Sequence, residues 1–326
     1  MTEWKPVASV ANLKARAQLL ADIRAFFAAR KVMEVETPLL CQFGGTDPYI
    51  QPVTADYQGP GFPDGQMFFL QTSPEFAMKR LLAAGAGDIY QITKAFRQGE
   101  RGSLHNPEFS MIEWYRLGFD HHALMDEVDT LLQQTIGMPK GKRMTYETYF
   151  MSTVGVNPFT ADDGQLWQVL EQHEVNLSVH PAKLSRDDVL NLISTHLIEP
   201  QLGFDAPCFV YDFPASMAAL AKIRRGDGQT PDVAERFEVY VCGMELANGF
   251  NELSDSVEQA ARFESQRQDR VAQGFLDVAP DSRLIAALAQ GLPECAGVAL
   301  GFDRLLMLQL GAHSIDEVVS FTIDRA

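Results

Sequence analysis

Positive charge is in short supply. Against 43 aspartates and glutamates the chain has 27 lysines and arginines, a net charge of -16 over 326 residues. That balance disfavours nonspecific association with nucleic acid or an anionic membrane surface, although a local basic patch stays compatible with it. Cysteine is scarce as well: Cys41, Cys208, Cys242 and Cys295 form no CxxC pair and have no histidine pairing nearby. Neither a zinc site nor a disulfide framework is indicated, and a reducing cytosol suits such a set. No run of about 18 apolar residues occurs, and the start "MTEWKPVASVANLKARAQLL" lacks a basic segment followed by a continuous apolar stretch. A soluble, unexported, cytoplasmic protein is expected. Internal repeats, low-complexity tracts and interdomain linkers are also missing, so residues 1–326 read as a single domain.

An apolar content of 46 % excludes a largely disordered chain. Helical spacing of Leu13, Leu19, Leu20, Ile23, Phe26 and Phe27 predicts a helix over 12–30 with Asn12 as cap. It feeds the extended segment "VMEVETPLL", which ends around Pro38. "MFFLQTS" reads as a short strand, followed by a helix from about Pro74 capped by Ser73. "DIYQITKAFR" and "FSMIEWYRLGF" read as strands joined by the polar loop 98–107, and "ALMDEVDTLLQQTI" as an amphipathic helix. Residues 162–200 look mainly helical, "CFVYDFP" is a strand, and 224–232 is a flexible loop. A polar helix over 255–273 precedes "AGVALGFDRLLMLQLG", a small-residue strand running into a helix. Hairpin-joined strands with helices grouped around them imply an α+β fold built on an antiparallel sheet.

The stretch "FEVYVCGMELANGFNEL", residues 237–253, spaces Glu238, Glu245 and Glu252 one heptad apart. On a helix that spacing makes one exposed acidic stripe. The residues between favour strands: Phe237, Val239 and Val241 alternate with Glu238, Tyr240 and Cys242, and Gly243 and Gly249 are poor helix residues. A two-residue turn at Cys242-Gly243 pairs Val241 with Met244 and Tyr240 with Glu245. Glu238 and Glu245 then share a face, where one divalent ion can bridge them. Glu252 lies an odd number of residues beyond Glu245 and joins that face only if a bulge near Asn248-Gly249 resets the phase.

Three further segments can carry chemistry or simply pack. The loop "FRQGERGSLHNPEF" gathers Arg97, Glu100, Arg101, His105 and Asn106; it is either a solvated hairpin tip or a mobile phosphate clamp, with Arg97 offering a planar fork and Phe109 a flat face for a base. "GVALGFDRL" permits close backbone approach and then places Arg304 at a helix start, where free N–H groups favour anions; such turns are also common packing devices. "TSPEFAMKR" puts Glu75 in a first helical turn, where the macrodipole alone would justify it.

Taken together, these segments resemble class II aminoacyl-tRNA synthetases of the lysyl type over nearly the whole chain. "VMEVETPLL" looks like motif 1, "FRQGERGSLHNPEFSMIEWY" like motif 2 and "GVALGFDRLLML" like motif 3. "TSPEFAMKRLL" and "FEVYVCGMELANGFNEL" look like the lysine-site segments. Lysyl synthetases carry an N-terminal OB-fold that reads the anticodon, whereas here the motif 1 helix starts near residue 12, so no anticodon-binding domain is expected. The resemblance is closest to the synthetase-like lysyltransferases that modify elongation factor P, especially in "HNPEFSMIEWYR" and "TSPE". Ser73 stands where the synthetases generally have alanine, a hint about placement of the substrate amino group.

By resemblance, the chain activates (R)-β-lysine or lysine with ATP and Mg2+ as an aminoacyl adenylate and transfers it to a lysine of elongation factor P. Arg97 is expected on the α-phosphate and substrate carboxylate, Arg304 on the γ-phosphate and over the adenine opposite Phe109. Gly99, Glu100, His105, Asn106, Leu246 and Gly301 fall among the nucleotide contacts, and Glu238 and Glu245 on the metal. Ser73, Pro74, Glu75, Glu113, Tyr115 and Glu252 fall on the amino acid, the carboxylates and Tyr115 meeting its ammonium groups. Two departures stand out. Gly99 occupies the place of a motif 2 glutamate that contacts the adenine amine, with Glu100 one position later, and Leu104 occupies that of an arginine before the His-Asn pair. No residue presents itself as the base for the transfer step. Motif 1 implies a homodimer, against the alternative that its helix packs only on its own sheet. A truncated lysyl synthetase charging tRNA and a noncatalytic lysine or nucleotide sensor are the competing functions. The net charge counts against the first, and retention of both arginines and all three glutamates against the second.

Overall fold

The computed structural model describes residues 4–175 and 184–326. Its strands are β1 Met33–Glu34, β2 Leu40–Cys41, β3 Thr54–Gly59, β4 Phe62–Leu70, β5 Ile89–Phe96, β6 Glu108–Leu117, β7 Lys142–Thr145, β8 Cys208–Pro214, β9 Ile223–Arg224, β10 Val233–Val241, β11 Met244–Asn251 and β12 Cys295–Gly301. The α-helices are α1 Val10–Ala29, α2 Glu75–Ala83, α3 His121–Ile136, α4 Tyr146–Thr153, α5 Asp163–Gln172, α6 Arg186–Ile193, α7 Ser256–Ala272, α8 Ser282–Gly291 and α9 Phe302–Leu310. They divide into two compact units, Met1–Gly118 with Leu253–Ala326, and Phe119–Glu252.

In the first unit β5, β6 and β12 are antiparallel, β1 lies parallel to β5, and β2, β4 and β3 make a small antiparallel sheet. Alternation gives the main strands two distinct faces. On the even-numbered face Phe27 of α1 stacks on Tyr90 at 4.2 Å and meets Trp114 edge-on at 5.3 Å. All three rings are buried, and truncating Phe27 to alanine would cost about 3–5 kcal/mol. Arg16 of α1 binds Asp303 and Ser110, both at 2.6 Å, and Asp303 accepts from the Ser110 backbone N–H, fixing α9 on the same face. The odd-numbered face carries Gln91, Glu113 and Tyr115. Opposite Tyr115, Glu113 and Met111, β12 presents Gly297, Ala299 and Gly301. Small residues there leave room above the two polar side chains.

Several expected boundaries move. Ser9 caps α1 by accepting from Asn12 N–H at 3.1 Å, while Asn12 itself donates to the Glu317 carbonyl. The helix begins earlier than the apolar spacing implies because its first turn is exposed and has no buried stripe to read. Within the motif 1 segment only Met33–Glu34, against β5, and Leu40, against β4, pair as strand. Helix α2 starts at Glu75, and Ser73 does accept from the Glu75 N–H at 3.1 Å.

The second unit pairs β11 with β10, β10 with β8 and β9, and β8 with β7, the last pair parallel. Helices α4, α5 and α6 supply Tyr146, Phe150, Leu166 and Ile193 to a core that includes Val210 and Phe213 of β8. A π-helical turn at Ser194–Ile198 and a 3-10 turn at Glu199–Gln201 end the helical stretch expected over 162–200, of which 176–183 lies outside the described residues. The loop over 225–232 turns on Asp227, which accepts from Gln229 and Thr230 N–H.

The hairpin at residues 237–253 forms as expected. Val241 faces Met244 and Tyr240 faces Glu245. Cys242 at φ 52° and Gly243 at φ 72° are both left-handed, the geometry of a two-residue turn whose twist matches its strands. The bulge is displaced from its expected place near Asn248-Gly249. Register shifts between Val239 and Tyr240, so that Ala247 faces Val239 and Asn248 faces Glu238, leaving Leu246 as the extra residue. The shift sits beside the tight turn, and a bulge there adds to the local right-handed twist. Its effect on phase is the one required: Glu245, Asn248 and Glu252 fall on the face of Glu238.

Candidate active site

Helix α2 and strand β6 assemble the first group. Ser73 Oγ donates to Glu113 Oε2 at 2.7 Å, and the Tyr115 hydroxyl donates to Glu113 Oε1 at 2.7 Å. Glu113 and Tyr115 are buried, so each carboxylate oxygen has a hydroxyl that offsets its desolvation. Pro74 opens α2 beside them, and Glu75 Oε1 lies 2.8 Å from Nζ of Lys79 one turn on. Lys79 is 1 % exposed, so this is a buried ion pair and not the solvated first-turn charge that a macrodipole effect alone would leave. Lys79 is an addition to the residues expected from sequence, and its i, i+4 spacing from Glu75 is the signal for it.

The β5–β6 loop holds the second group. The Arg97 guanidinium lies 5.1 Å from the Phe109 ring centroid and 4.0 Å from Glu100 Oε1, while its Nε is buried with no hydrogen-bond partner. An orphaned donor on a fork-shaped cation is suited to an oxyanion. The base of the loop is fixed: Arg97 N–H donates to Pro107 O, and Gln98 N–H to Gln51 O at 2.8 Å. Gln51 is held by Arg270 at 2.9 Å, whose guanidinium is fully buried among backbone carbonyls. In sequence Arg270 is one residue of a polar helix, and a single buried arginine in such a helix leaves no pattern. Gly99 takes φ +82°, a backbone that a glutamate side chain would strain.

Arg304, in the first turn of α9, contacts His105 Nε2 at 2.7 Å through Nη2. Partial desolvation first, and the Arg304 cation second, hold His105 below its ordinary pKa, so a neutral imidazole accepts this bond. Asn106 is buried and works on the loop itself, donating to Glu108 O at 2.7 Å and accepting from Ile323 N–H at 3.1 Å. Gly301 caps α9 at φ -70°, and a Cβ there would come no closer than 3.6 Å to the Arg304 side chain. The fold itself therefore does not require glycine at 301.

In the second unit, one face of the hairpin presents Arg236, Glu238, Tyr240, Glu245, Asn248 and Glu252. Glu238 is buried and accepts from both Arg236 and the Tyr240 hydroxyl. Burial disfavours the Arg236 cation, but Glu238 and Glu245 outweigh it and keep the group firmly protonated. Glu199, from the 3-10 turn, is pushed up to about 7, chiefly by burial and then by Glu238 and Glu245. Glu252 is buried and bridges Ala221 through its backbone, and Leu246 is packed at the bulge. Arg236 and Glu199 are additions to the residues expected from sequence. Arg236 could have been found as the i-2 neighbour of Glu238 on one strand face; Glu199 is remote in sequence and leaves no such signal. Among the described residues no group of three or more His, Cys, Asp or Glu has metal-holding geometry. Glu238 and Glu245 fit the two-carboxylate set by which Mg2+ is held when phosphate and water oxygens complete its shell; Glu238 would have to share with Arg236.

No described helix is long and apolar enough to cross a membrane. The family model of tRNA synthetases class II (D, K and N) matches residues 5–325. The elongation factor P (R)-beta-lysine ligase of Vibrio cholerae serotype O1 is 51 % identical over 325 residues, covering 100 % of this chain and 99 % of that protein. The protein of the same name from Vibrio parahaemolyticus is 50 % identical over 320 residues, covering 98 % of each chain. With a match that runs through both units, the chain belongs to the class II tRNA synthetases of the D, K and N family.

Proposed function

We propose that this chain is an ATP-dependent ligase that activates (R)-β-lysine as an adenylate and transfers it to a lysine side chain of elongation factor P. The observation that carries the reading is half-identity, over essentially full length, to relatives named for that reaction. The buried acidic and hydroxyl groups around Glu113 support a substrate bearing ammonium groups. The reading takes residues 1–326 as one catalytic domain working as a cytoplasmic homodimer through the motif 1 segment, with no tRNA partner.

In the first step a substrate carboxylate oxygen attacks the α-phosphorus in line, and the bond to pyrophosphate breaks. Arg97 is suited to gather the carboxylate and α-phosphate, since its Nε lacks a partner and Phe109 supports its plane. Arg304 takes the γ-phosphate, oriented by neutral His105. Gly99, Glu100, Asn106, Leu246 and Gly301 are the further residues assigned to the nucleotide. When bound at Glu238 and Glu245, Mg2+ neutralises phosphate charge. Ser73, Pro74, Glu75, Glu113, Tyr115 and Glu252 receive the amino acid, Glu75 dividing its charge between Lys79 and substrate. In the second step the acceptor amine attacks the adenylate carbonyl and AMP leaves. The protein's contribution is positioning and charge neutralisation.

The test is a mass measurement on purified elongation factor P incubated with the chain, ATP and either lysine isomer, with tRNA charging assayed in parallel. A β-lysyl mass increment on the factor and none on tRNA is the expected result. Charging of tRNA without modification of the factor would sink the reading, and absence of amino-acid-dependent pyrophosphate exchange would mark a noncatalytic binder.

A further inference from the structure

The loop that carries Arg97 and His105 is fastened at three points to the C-terminal segment. Arg101 meets Asp316 as a fork, Nη1 to Oδ1 at 3.1 Å and Nη2 to Oδ2 at 3.2 Å, and donates from Nε to Asp324 Oδ2 at 3.0 Å. Ile315 N–H donates to Ser103 O at 2.7 Å. Ile323 N–H donates to Asn106 Oδ1 at 3.1 Å. The segment is anchored on its other side. Val7 N–H donates to Ser320 O at 2.8 Å, Asn12 Nδ2 to Glu317 O at 2.8 Å and Arg16 Nη1 to Val318 O at 3.2 Å, and Thr322 is buried. Ser314 and Glu317 form a capping box that fixes the short turn presenting Asp316.

The loop has little rigidity of its own. Gly99 is left-handed, Gly102 has nothing within 4 Å of where a Cβ would stand, and one bridge, Gly102 to His105, spans the tip. A lone surface ion pair contributes little to stability. Its value here is geometric, because a planar fork clasped by a carboxylate fixes orientation as well as distance. The fastened positions, 101, 103 and 106, bracket His105, which bonds Arg304. Holding them sets how the loop's groups stand relative to α9.

We propose that residues 315–324 act as a positioning element for the nucleotide-binding loop, with Arg101 as the positioning residue clasped by Asp316 and Asp324. The inference rests on the proposed role of this loop in binding ATP. It makes Arg101 a structural partner of the tail and not a phosphate ligand.

The experiment compares the full chain with Arg101→Ala and with the double variant Asp316→Asn, Asp324→Asn. Three quantities are read: KM for ATP and KM for the amino acid in pyrophosphate exchange, and amide hydrogen exchange across residues 99–106. Both variants should raise KM for ATP about fivefold or more, leave KM for the amino acid within about twofold, and speed amide exchange in the loop at unchanged Tm. Unchanged loop exchange and unchanged KM for ATP would overturn the proposal. So would a lower KM for ATP in the double variant with a higher one in Arg101→Ala, since that marks Arg101 as a phosphate ligand that the tail restrains. Hydrogen exchange needs no turnover, so an inactive wild-type chain would defeat the proposed function while the loop measurement still decides whether residues 315–324 position the loop.

Discussion

Tyr240 faces Glu245 across the β10–β11 hairpin, and the residue after Glu245 is the one left over when pairing resumes at Val239 and Ala247. Seven residues separate Glu245 from Glu252, and the surplus Leu246 turns that odd interval into a shared face with Glu238. If Glu252 meets the substrate ammonium and Glu245 the metal beside the phosphates, their isosteric amides should fail differently. Glu252→Gln is expected to raise KM for the amino acid at least about tenfold with little change for ATP, and Glu245→Gln to raise the Mg2+ and ATP requirement. Pyrophosphate exchange with each substrate varied in turn measures both. Equal losses for amino acid and ATP in Glu252→Gln would contradict the division.

Glu113 has both oxygens engaged by hydroxyls, Ser73 on one and Tyr115 on the other. Ser73→Ala removes one donor from a buried carboxylate, at a cost of about 1 kcal/mol in stability. The larger effect should fall on amino-acid use, because Ser73 no longer fixes the orientation of the Glu113 carboxylate. KM for the amino acid should change severalfold, with KM for ATP held. A pure stability loss without a change in either KM would assign Ser73 to the start of α2 alone.

His105 is neutral at pH 7 because desolvation and then Arg304 hold it below its ordinary value of 6.5. The Arg304 bond needs the unprotonated Nε2, so what it contributes is complete above 6.5 and disappears as pH falls through the depressed folded value. ATP itself gains a proton in mildly acid solution, so the comparison has to be with His105→Gln, whose amide oxygen accepts without titrating. Wild type should lose ATP affinity on acidification more steeply than the variant, read as KM for ATP between pH 5 and 8. Parallel profiles would remove His105 from the nucleotide site.

The parts of this site legible in sequence are those where local alternation or a helix start fixes direction. The hairpin pairing of Tyr240 with Glu245, the strand pair around the 98–107 loop and the placement of Arg304 all follow from patterns a few residues long. What was not legible depends on partners far away in the chain. Glu199 is about forty residues from the hairpin, Arg270 reaches back to Gln51, and the tail that clasps Arg101 lies more than two hundred residues beyond it. Parity requires a bulge for Glu245 and Glu252 to share a face, but it does not fix the place, which is Leu246.

Asp212 offers a stability test away from the proposed chemistry. It sits in β8 at φ +60°, with Oδ2 on Arg224 at 2.6 Å and Oδ1 3.6 Å from Nε2 of the buried His121. Burial by itself would raise its pKa, but His121 and Arg224 outweigh burial and the net shift is downward from 3.8. A depressed carboxylate adds stability that is fully present above its unfolded value and is lost as pH falls through the lower folded value. Asparagine tolerates the left-handed backbone as well as aspartate does, so Asp212→Asn removes the charge without adding strain. The variant should be less stable than wild type by about 2 kcal/mol across pH 5 to 8. The gap should narrow below pH 4 as the wild-type carboxylate takes up a proton. Denaturant unfolding at pH 7, 5 and 3.5 measures it, and a gap that stayed constant down to the lowest pH would assign the loss to packing instead of charge.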